Sequence, residues 1–351
     1  MAKAWGKLLA TIAGYGILLL LVLAALALTF TVGWRPVIGA KKRALTYRKF
    51  EATPERLRRG QYLTHAVIPC MGCHSTWNEK EYPPVLLSKE GAGSVMFEDG
   101  GLRVVAPNIT SDPETGIGKW SDDAIARAIR EGIAADGSVL FPVMPYERFR
   151  HMSDEDLASI VVFIRSLPPV RSQLPASTVP FLIARLIQGA PQPVVGSVLE
   201  PNESSPAQRG VYLATLGTCS DCHTPNSPPP KFQPIPGMEF AGGTVFDEGV
   251  ASANLTPDAS GIGYYDEALF IQTMRTGSVR ARKLKMPMPW PVYRNMTDDD
   301  LKAVFAYLRT LKPVHHLIDN AEPPTLCKRC RHRHGLGDHN LVTSSGSEQH
   351  D

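Results

Sequence analysis

The sequence predicts an all-α protein, with two copies of one small helical domain in tandem behind a single membrane-spanning helix. Three observations carry that expectation. No charged side chain occurs between residues 8 and 34. The remainder contains two ordered series of matching segments. Apolar residues in it recur at helical spacing between capping residues and prolines, and no stretch alternates long enough to suggest a sheet.

Composition sets the outer limits. The chain has 351 residues, which is a soft prior for two or three domains. Charged residues make up 20% and the net charge is +3, so nothing global points to a nucleic-acid partner. The 30 Pro and 29 Gly indicate a loop-rich protein. All 6 cysteines fall in Cys-x-x-Cys pairs: Cys70/Cys73, Cys219/Cys222 and Cys327/Cys330. Paired spacing reads as metal, redox or haem chemistry, because a disulfide scaffold would scatter its cysteines.

The first element is the apolar helix. Its uncharged run exceeds the roughly 20 residues needed to cross a bilayer. Lys3 and Lys7 precede it, and Trp34 and Arg35 stand at its far edge as interfacial anchors. Ala25-Leu26-Ala27 resembles a signal-peptide cleavage site, but signal-peptide apolar regions run to about 7–15 residues. The expectation is an uncleaved anchor over residues 1–35, followed by a basic juxtamembrane linker over 36–53.

The repeat organises everything after it. Arg59-Gly60-Gln61-Tyr62-Leu63 matches Arg209-Gly210-Val211-Tyr212-Leu213, and Cys70-Met71-Gly72-Cys73-His74 matches Cys219-Ser220-Asp221-Cys222-His223. Asn108-Ile109-Thr110 matches Asn254-Leu255-Thr256, and Gly116-Ile117-Gly118 matches Gly261-Ile262-Gly263. From Val143-Met144-Pro145 and Pro287-Met288-Pro289 the match runs ungapped to Arg165-Ser166-Leu167 and Arg309-Thr310-Leu311. The expected domains are residues 54–171 and 204–316, with a linker at 172–203 and a polar, His-rich, disordered tail at 317–351.

Within each copy the helices have readable ends. Thr53 or Pro54 opens a helix leading into the first cysteine pair. Ser121 caps a helix from Ala124 to Glu131 that Gly132 stops, and Ser153 opens another that Pro168-Pro169 ends. Thr297 repeats that start in the second copy. The Pro-rich stretches between Cys73 and Asn108, and between Cys222 and Asn254, read as loops around something other than a protein core. Inside the linker, Phe181 to Ile187 reads equally as a helix packed on a domain or as a membrane or partner contact.

Cys-x-x-Cys-His is specific because each position has a task. Two thiols one helical turn apart can form thioethers to two vinyl groups on one edge of a haem, and the adjacent imidazole then meets the iron. Cys70, Cys73 and His74, with Cys219, Cys222 and His223, therefore predict two covalently bound haem c groups. Met144 and Met288 occupy equivalent Met-Pro positions ahead of the last helix of each copy. They are the expected sixth ligands, since Met/His ligation gives a high-potential, coordinatively closed haem. Met286-Pro287 is a rival to Met288, while Met152 and Met296 read as packing residues. Trp120 and Tyr265 correspond and are expected to pack on haem or core. In the third pair, Arg331 follows Cys330 and breaks the motif. That pair reads as a disulfide or an unstructured segment, with adventitious metal binding by His332, His334 and His339 as the alternative.

Orientation follows from the haem motifs. The basic residues after the helix would by themselves favour a cytoplasmic location for that end, yet long domains translocate largely regardless of charge. Haem attachment takes place outside the bacterial cytoplasm. A single-pass protein of the inner membrane is therefore expected, with the haem domains in the periplasm and the basic linker against lipid headgroups.

On these motifs each copy resembles a class I cytochrome c domain, where a helix leads into Cys-x-x-Cys-His and a Met ligand precedes a C-terminal helix. The pair is similar to the cytochrome c subunits of periplasmic alcohol- and gluconate-type dehydrogenases. Those usually carry three such motifs, so the closer likeness is to membrane-anchored dihaem cytochromes c. The resemblance implies a proline carbonyl, at Pro84 and Pro234, on each axial imidazole. It also implies an electron-transfer protein, alone or within a complex, whose redox partners are a dehydrogenase donor and a cytochrome, quinone or oxidase acceptor. The competing reading is a dihaem enzyme, either a peroxidase or a dehydrogenase of small sulfur compounds. It needs an open iron or an unusual ligand such as Cys.

Overall fold

The computed structural model describes residues 2–31, 33–76, 87–228, 233–246 and 249–341. Helix α1 (Ala2–Phe30) contains a 26-residue stretch, Trp5–Phe30, long and apolar enough to cross a membrane. The apolar run within it is not buried in protein. A short helix, α2 (Arg35–Ile38), follows it.

The first copy contains α3 (Pro54–Tyr62), α4 (Cys70–Cys73), the hairpin β1 (Ser94–Asp99) and β2 (Leu102–Ala106), α5 (Asp122–Glu131), α6 (Tyr146–Phe149) and α7 (Asp154–Ser166). A connecting helix, α8 (Phe181–Leu186), leads on. The second copy contains α9 (Pro206–Leu216), α10 (Cys219–His223), α11 (Glu267–Thr276), β3 (Ser278–Val279) with β4 (Arg282–Lys283), α12 (Trp290–Tyr293) and α13 (Asp298–Thr310). The tail adds β5 (Pro324–Leu326) and β6 (Arg333–Gly335).

The expected helix starts are capped. Thr53 Oγ1 accepts from Arg56 N–H at 3.2 Å, Ser121 from Ala124 at 3.1 Å, Ser153 from Asp156 at 3.0 Å and Thr297 from Asp300 at 3.2 Å. Each such cap contributes about 1 kcal/mol. The all-α expectation needs correcting, because three two-stranded sheets accompany the helices among the described residues. The largest, β1–β2, turns through Gly100 (φ 54°) and Gly101 (φ 83°). Two successive left-handed residues make the tight hairpin connection whose twist matches the strands.

Two further expectations change. The segment after α1 is strapped to the first copy. Arg43 reaches the buried carboxylates of Asp123 and Glu131 at 2.7 Å each, so it is not left for lipid headgroups. Burial pushes the Asp123 carboxyl up, but its bonds to the Arg43 guanidinium and the Thr46 N–H outweigh this and hold it below the ordinary value. The expected disordered tail is instead folded from 317 to 341, while residues 342–351 lie outside the described residues. The linker is partly tied down too. Thr178 exchanges both backbone bonds with Arg103 at 2.8 Å, and Val198 O accepts from Asp154 N–H at 2.9 Å.

Each copy is closed by one helix crossing, α3 on α7 and α9 on α13. Gly60 and Gly210 lie at these crossings. A Cβ on Gly60 would stand 2.0 Å from Ser159 O, and one on Gly210 would stand 1.9 Å from Ala303 O. The two copies are also one packing unit. A single hydrophobic core joins Leu63, Val67, Leu157 and Ile160 of the first to Leu213, Leu216, Leu301 and Leu308 of the second.

Across that core the contacts are reciprocal. Within each copy the arginine of the Arg-Gly-x-Tyr segment holds the aspartate of the last helix: Arg59 Nε to Asp156 at 2.7 Å, and Arg209 Nε to Asp300 at 2.6 Å. The tyrosine reaches the opposite copy's aspartate instead. Tyr62 OH donates to Asp300 at 2.5 Å and Tyr212 OH donates to Asp156 at 2.7 Å. Each tyrosine oxygen also accepts a backbone N–H there, from Thr297 and Ser153 respectively, both at 3.1 Å. This is the pattern of a self-complementary interface, with i contacting j and j contacting i.

Candidate functional site

In both copies a short helix, α4 or α10, delivers the Cys-x-x-Cys pair with His74 or His223 at its end. The imidazoles are buried, and each is fixed through Nδ1. His74 Nδ1 bonds Pro107 O at 2.8 Å and His223 Nδ1 bonds Ala253 O at 2.7 Å. A carbonyl can only accept, so Nδ1 carries the proton and Nε2 keeps its lone pair. Burial pushes both rings below the ordinary histidine value, against the opposing pull of those bonds. The donor is therefore a neutral, oriented imidazole, as an axial ligand requires.

The carbonyls are not the ones expected. Pro84 lies outside the described residues, and Ala253 takes the place expected for Pro234. The reason lies one residue on. Asn108 Oδ1 accepts from Thr110 N–H at 2.9 Å and from its hydroxyl at 2.7 Å, while Nδ2 donates to Val170 O at 2.7 Å. Asn254 does the same with Thr256 at 2.9 and 2.8 Å and with Val314 O at 2.8 Å. Each asparagine clamps its loop to the chain just beyond the last helix, and so fixes the preceding carbonyl under the histidine. The Asn-x-Thr match is visible in the repeat, but its task is not.

Burial, and then the neighbouring thiol, pushes Cys70 and Cys219 up to about 12. Cys73 and Cys222 are raised by burial as well. Such thiols lack the lowered value of a thiol-redox pair.

Met144 and Met288 are half-buried against the core, while Met286 is half exposed, which favours Met288 over its rival. Met152 and Met296 are core residues, and Trp120 and Tyr265 pack against the same core. The methionine turns rest on a repeated contact. Gly132 (φ 69°) and Gly277 (φ 65°) end α5 and α11. A Cβ on them would lie 2.5 Å from the Tyr146 ring and 2.2 Å from the Trp290 ring, two residues beyond each methionine. Gly132→Ala is expected to cost about 1–2 kcal/mol from the left-handed backbone alone, and more from displacing Tyr146. A thermal melt of the variant beside wild type checks this.

Cys70, Cys73, His74 and Met144 line one cavity of about 1410 Å³ with Ile68, Val104, Ile117, Trp120, Ile129 and Phe149. That exceeds the roughly 300–1,000 Å³ of an ordinary small-molecule site. The cavity continues to Thr218, Asp221 and Cys222 of the second copy, and there Arg148 bonds Asp221 at 2.6 Å. Two thiols, an oriented imidazole and a thioether around a large apolar space fit a covalently held haem.

Residues 207–312 match the cytochrome c family model. This stretch is a cytochrome c domain. It contains Cys219, Cys222, His223 and Met288, and such a domain carries covalently bound haem c. The chain is 30% identical over 288 residues to a nicotinate dehydrogenase subunit of Pseudomonas putida, covering 76% of this chain and 22% of that one. It is 27% identical to the fructose dehydrogenase cytochrome subunit of Gluconobacter japonicus, covering 73% of this chain and 52% of that one. A diheme cytochrome c-type protein of Cereibacter sphaeroides is 34% identical over 167 residues, covering 45% of this chain and 54% of that one. The chain thus spans between about a fifth and a little over half of these relatives.

Proposed function

We propose that the chain is a dihaem c-type cytochrome, built of two class I cytochrome c domains, that carries electrons from a dehydrogenase toward the respiratory chain. The observation that carries this reading is the duplication of the whole ligand environment. Cys70, Cys73, His74 and Met144 have counterparts in Cys219, Cys222, His223 and Met288, and both histidines bond a carbonyl that an Asn-x-Thr clamp holds.

Covalently bound haem supplies a one-electron iron centre whose potential the axial ligands tune. The chain's own residues do the rest. The cysteines tether the group, His74 and His223 offer an oriented nitrogen, and Met144 and Met288 offer a thioether that raises the potential. Held by His74 and Met144, and by His223 and Met288, each group would be left no open position for a substrate, which suits electron transfer with little rearrangement. The fructose dehydrogenase relative is named as a cytochrome subunit, which supports a dehydrogenase as donor.

The same proposal places α1 in the bacterial inner membrane and the two domains in the periplasm. Its apolar length supports this. So does α8, which packs beside α2 just after α1 and exposes Phe181, Leu182 and Leu186, the apolar surface of a segment resting on lipid.

The test is spectroscopic. The purified protein should show two low-spin haems, and Met144→Ala and Met288→Ala should each remove about half of the methionine-to-iron charge-transfer band and lower one potential. A high-spin haem that binds cyanide or peroxide readily would overturn the carrier reading and favour a dihaem enzyme.

A further inference from the structure

The tail after the second domain contains the third cysteine pair and has no part in the haem sites. Cys327 and Cys330 are unpaired with each other and fully buried, at the tip of the β5–β6 hairpin. His334 of β6 and His316, just beyond α13, are also fully buried. One ligand atom from each of the four side chains lies within 4.8 Å of all the others. His316 Nε2 lies 3.4 Å from Cys327 Sγ, and His334 Nε2 lies 3.3 Å from Cys330 Sγ. A tetrahedral zinc ion, with Zn–S about 2.3 Å and Zn–N about 2.0 Å, sets its ligands roughly 3.3–3.8 Å apart.

Both histidines have the tautomer that coordination needs. His316 Nδ1 bonds Ala241 O at 2.8 Å and His334 Nδ1 bonds Gly335 O at 3.0 Å. Each Nδ1 must therefore donate, which leaves both Nε2 lone pairs directed at the thiols. Backbone also supports the sulfur: Cys330 N–H approaches Cys327 Sγ at 3.5 Å. Gly243 closes the floor, since a Cβ there would lie 2.6 Å from the His316 ring and 3.3 Å from Cys330 Sγ.

Energetics separate an ion from a disulfide. Among the described residues, the only buried hydrophobic side chains after Val314 are Cys327 and Cys330 themselves. Their small cluster is completed by Met238, Ala241 and Val314, which precede the tail. A segment that brings no core of its own needs a staple to stay ordered. A Cys327–Cys330 bond would staple only the hairpin tip to itself. It would also leave two buried imidazole nitrogens without partners, at a cost of about 1–3 kcal/mol each.

From this geometry we propose that His316, Cys327, Cys330 and His334 bind one structural zinc ion that fastens the tail to the second domain. The two thiols lose their protons on binding and the imidazoles enter neutral, so Zn²⁺ and two thiolates sum to zero charge, which suits a buried site. Four protein ligands close the coordination sphere, so the role is structural. The ion also holds the loop that folds back onto His223, because Ala241 O bonds His316 while the next residue, Gly242, donates its N–H to His223 O at 2.7 Å.

Elemental analysis of the full-length haem-loaded protein, grown with zinc supplied, tests this. Haem is quantified separately, so the result does not depend on the electron-carrier reading. The expected content is one zinc per chain, lost in Cys330→Ser and in His334→Ala at unchanged haem content. If a variant does not accumulate, the wild-type protein is treated with a strong chelator. Zinc release should then expose two thiols to alkylation. A wild-type protein without zinc and with Cys327 joined to Cys330 by mass, an extra non-haem iron in place of zinc, or zinc retained in both variants, would each overturn the assignment.

Discussion

Gly210→Ala should prevent the second domain from closing, and Gly60→Ala should do the same to the first. The added methyl would lie 1.9 Å from Ala303 O in one case and 2.0 Å from Ser159 O in the other. Both obstacles are helix backbone, and no rotamer change can relieve them. The helices must separate, and overpacking of that kind costs roughly 3 kcal/mol or more. Against a total stability of about 5–15 kcal/mol, that is a large fraction. The measurement is haem incorporation together with the denaturant midpoint. Gly189→Ala is the control: its nearest neighbour to an added Cβ is 4.0 Å away, so it should stay within about 0.5 kcal/mol of wild type. Wild-type behaviour of Gly210→Ala would mean that the α9–α13 crossing is looser than described.

Asp300→Ala is the second large effect. The carboxylate is 1% exposed and serves the Arg209 guanidinium at 2.6 Å and the Tyr62 hydroxyl of the other copy at 2.5 Å. Its removal leaves Arg209 with Glu203 as its remaining carboxylate partner and takes the acceptor from the Tyr62 hydroxyl, an expected loss of about 2–3 kcal/mol. Tyr62→Phe alone should cost less, about 1–2 kcal/mol. The double variant should be less destabilised than the sum, with a coupling of about 1–3 kcal/mol, because both changes break one network. A double-mutant cycle by denaturant unfolding measures this, and Asp156 with Tyr212 should behave alike. Strict additivity would show that the crossed tyrosine bonds contribute nothing to joining the copies.

What can be read from the sequence is local or duplicated. Ser121, Ser153 and Thr297 declare helix starts because a cap is decided within three residues. Cys70 to His74 and Cys219 to His223 are legible because a short motif of fixed spacing occurs twice at matching places in the repeat. Contacts between distant segments are not legible. Pro107 and Ala253 act through their carbonyls, which every residue has. Arg43 reads as one member of a basic run, and only the fold brings Asp123 and Glu131 to it. The tail misleads for a related reason. Its polar composition is that of a disordered segment, and His316 stands outside the cysteine pair that would draw attention to it. The hairpin at Gly100-Gly101 reads as loop because the Pro-rich neighbourhood masks two short strands.

The crossed tyrosines impose an order on biogenesis. Tyr62 and Asp300 are 238 residues apart. At about 5–20 residues per second of synthesis, Asp300 emerges roughly 10–50 s after Tyr62. Through that interval the N-terminal half lacks the partner that its Tyr62 hydroxyl bonds across the shared core. The joint core of the two copies can therefore close only once the last helix has been made.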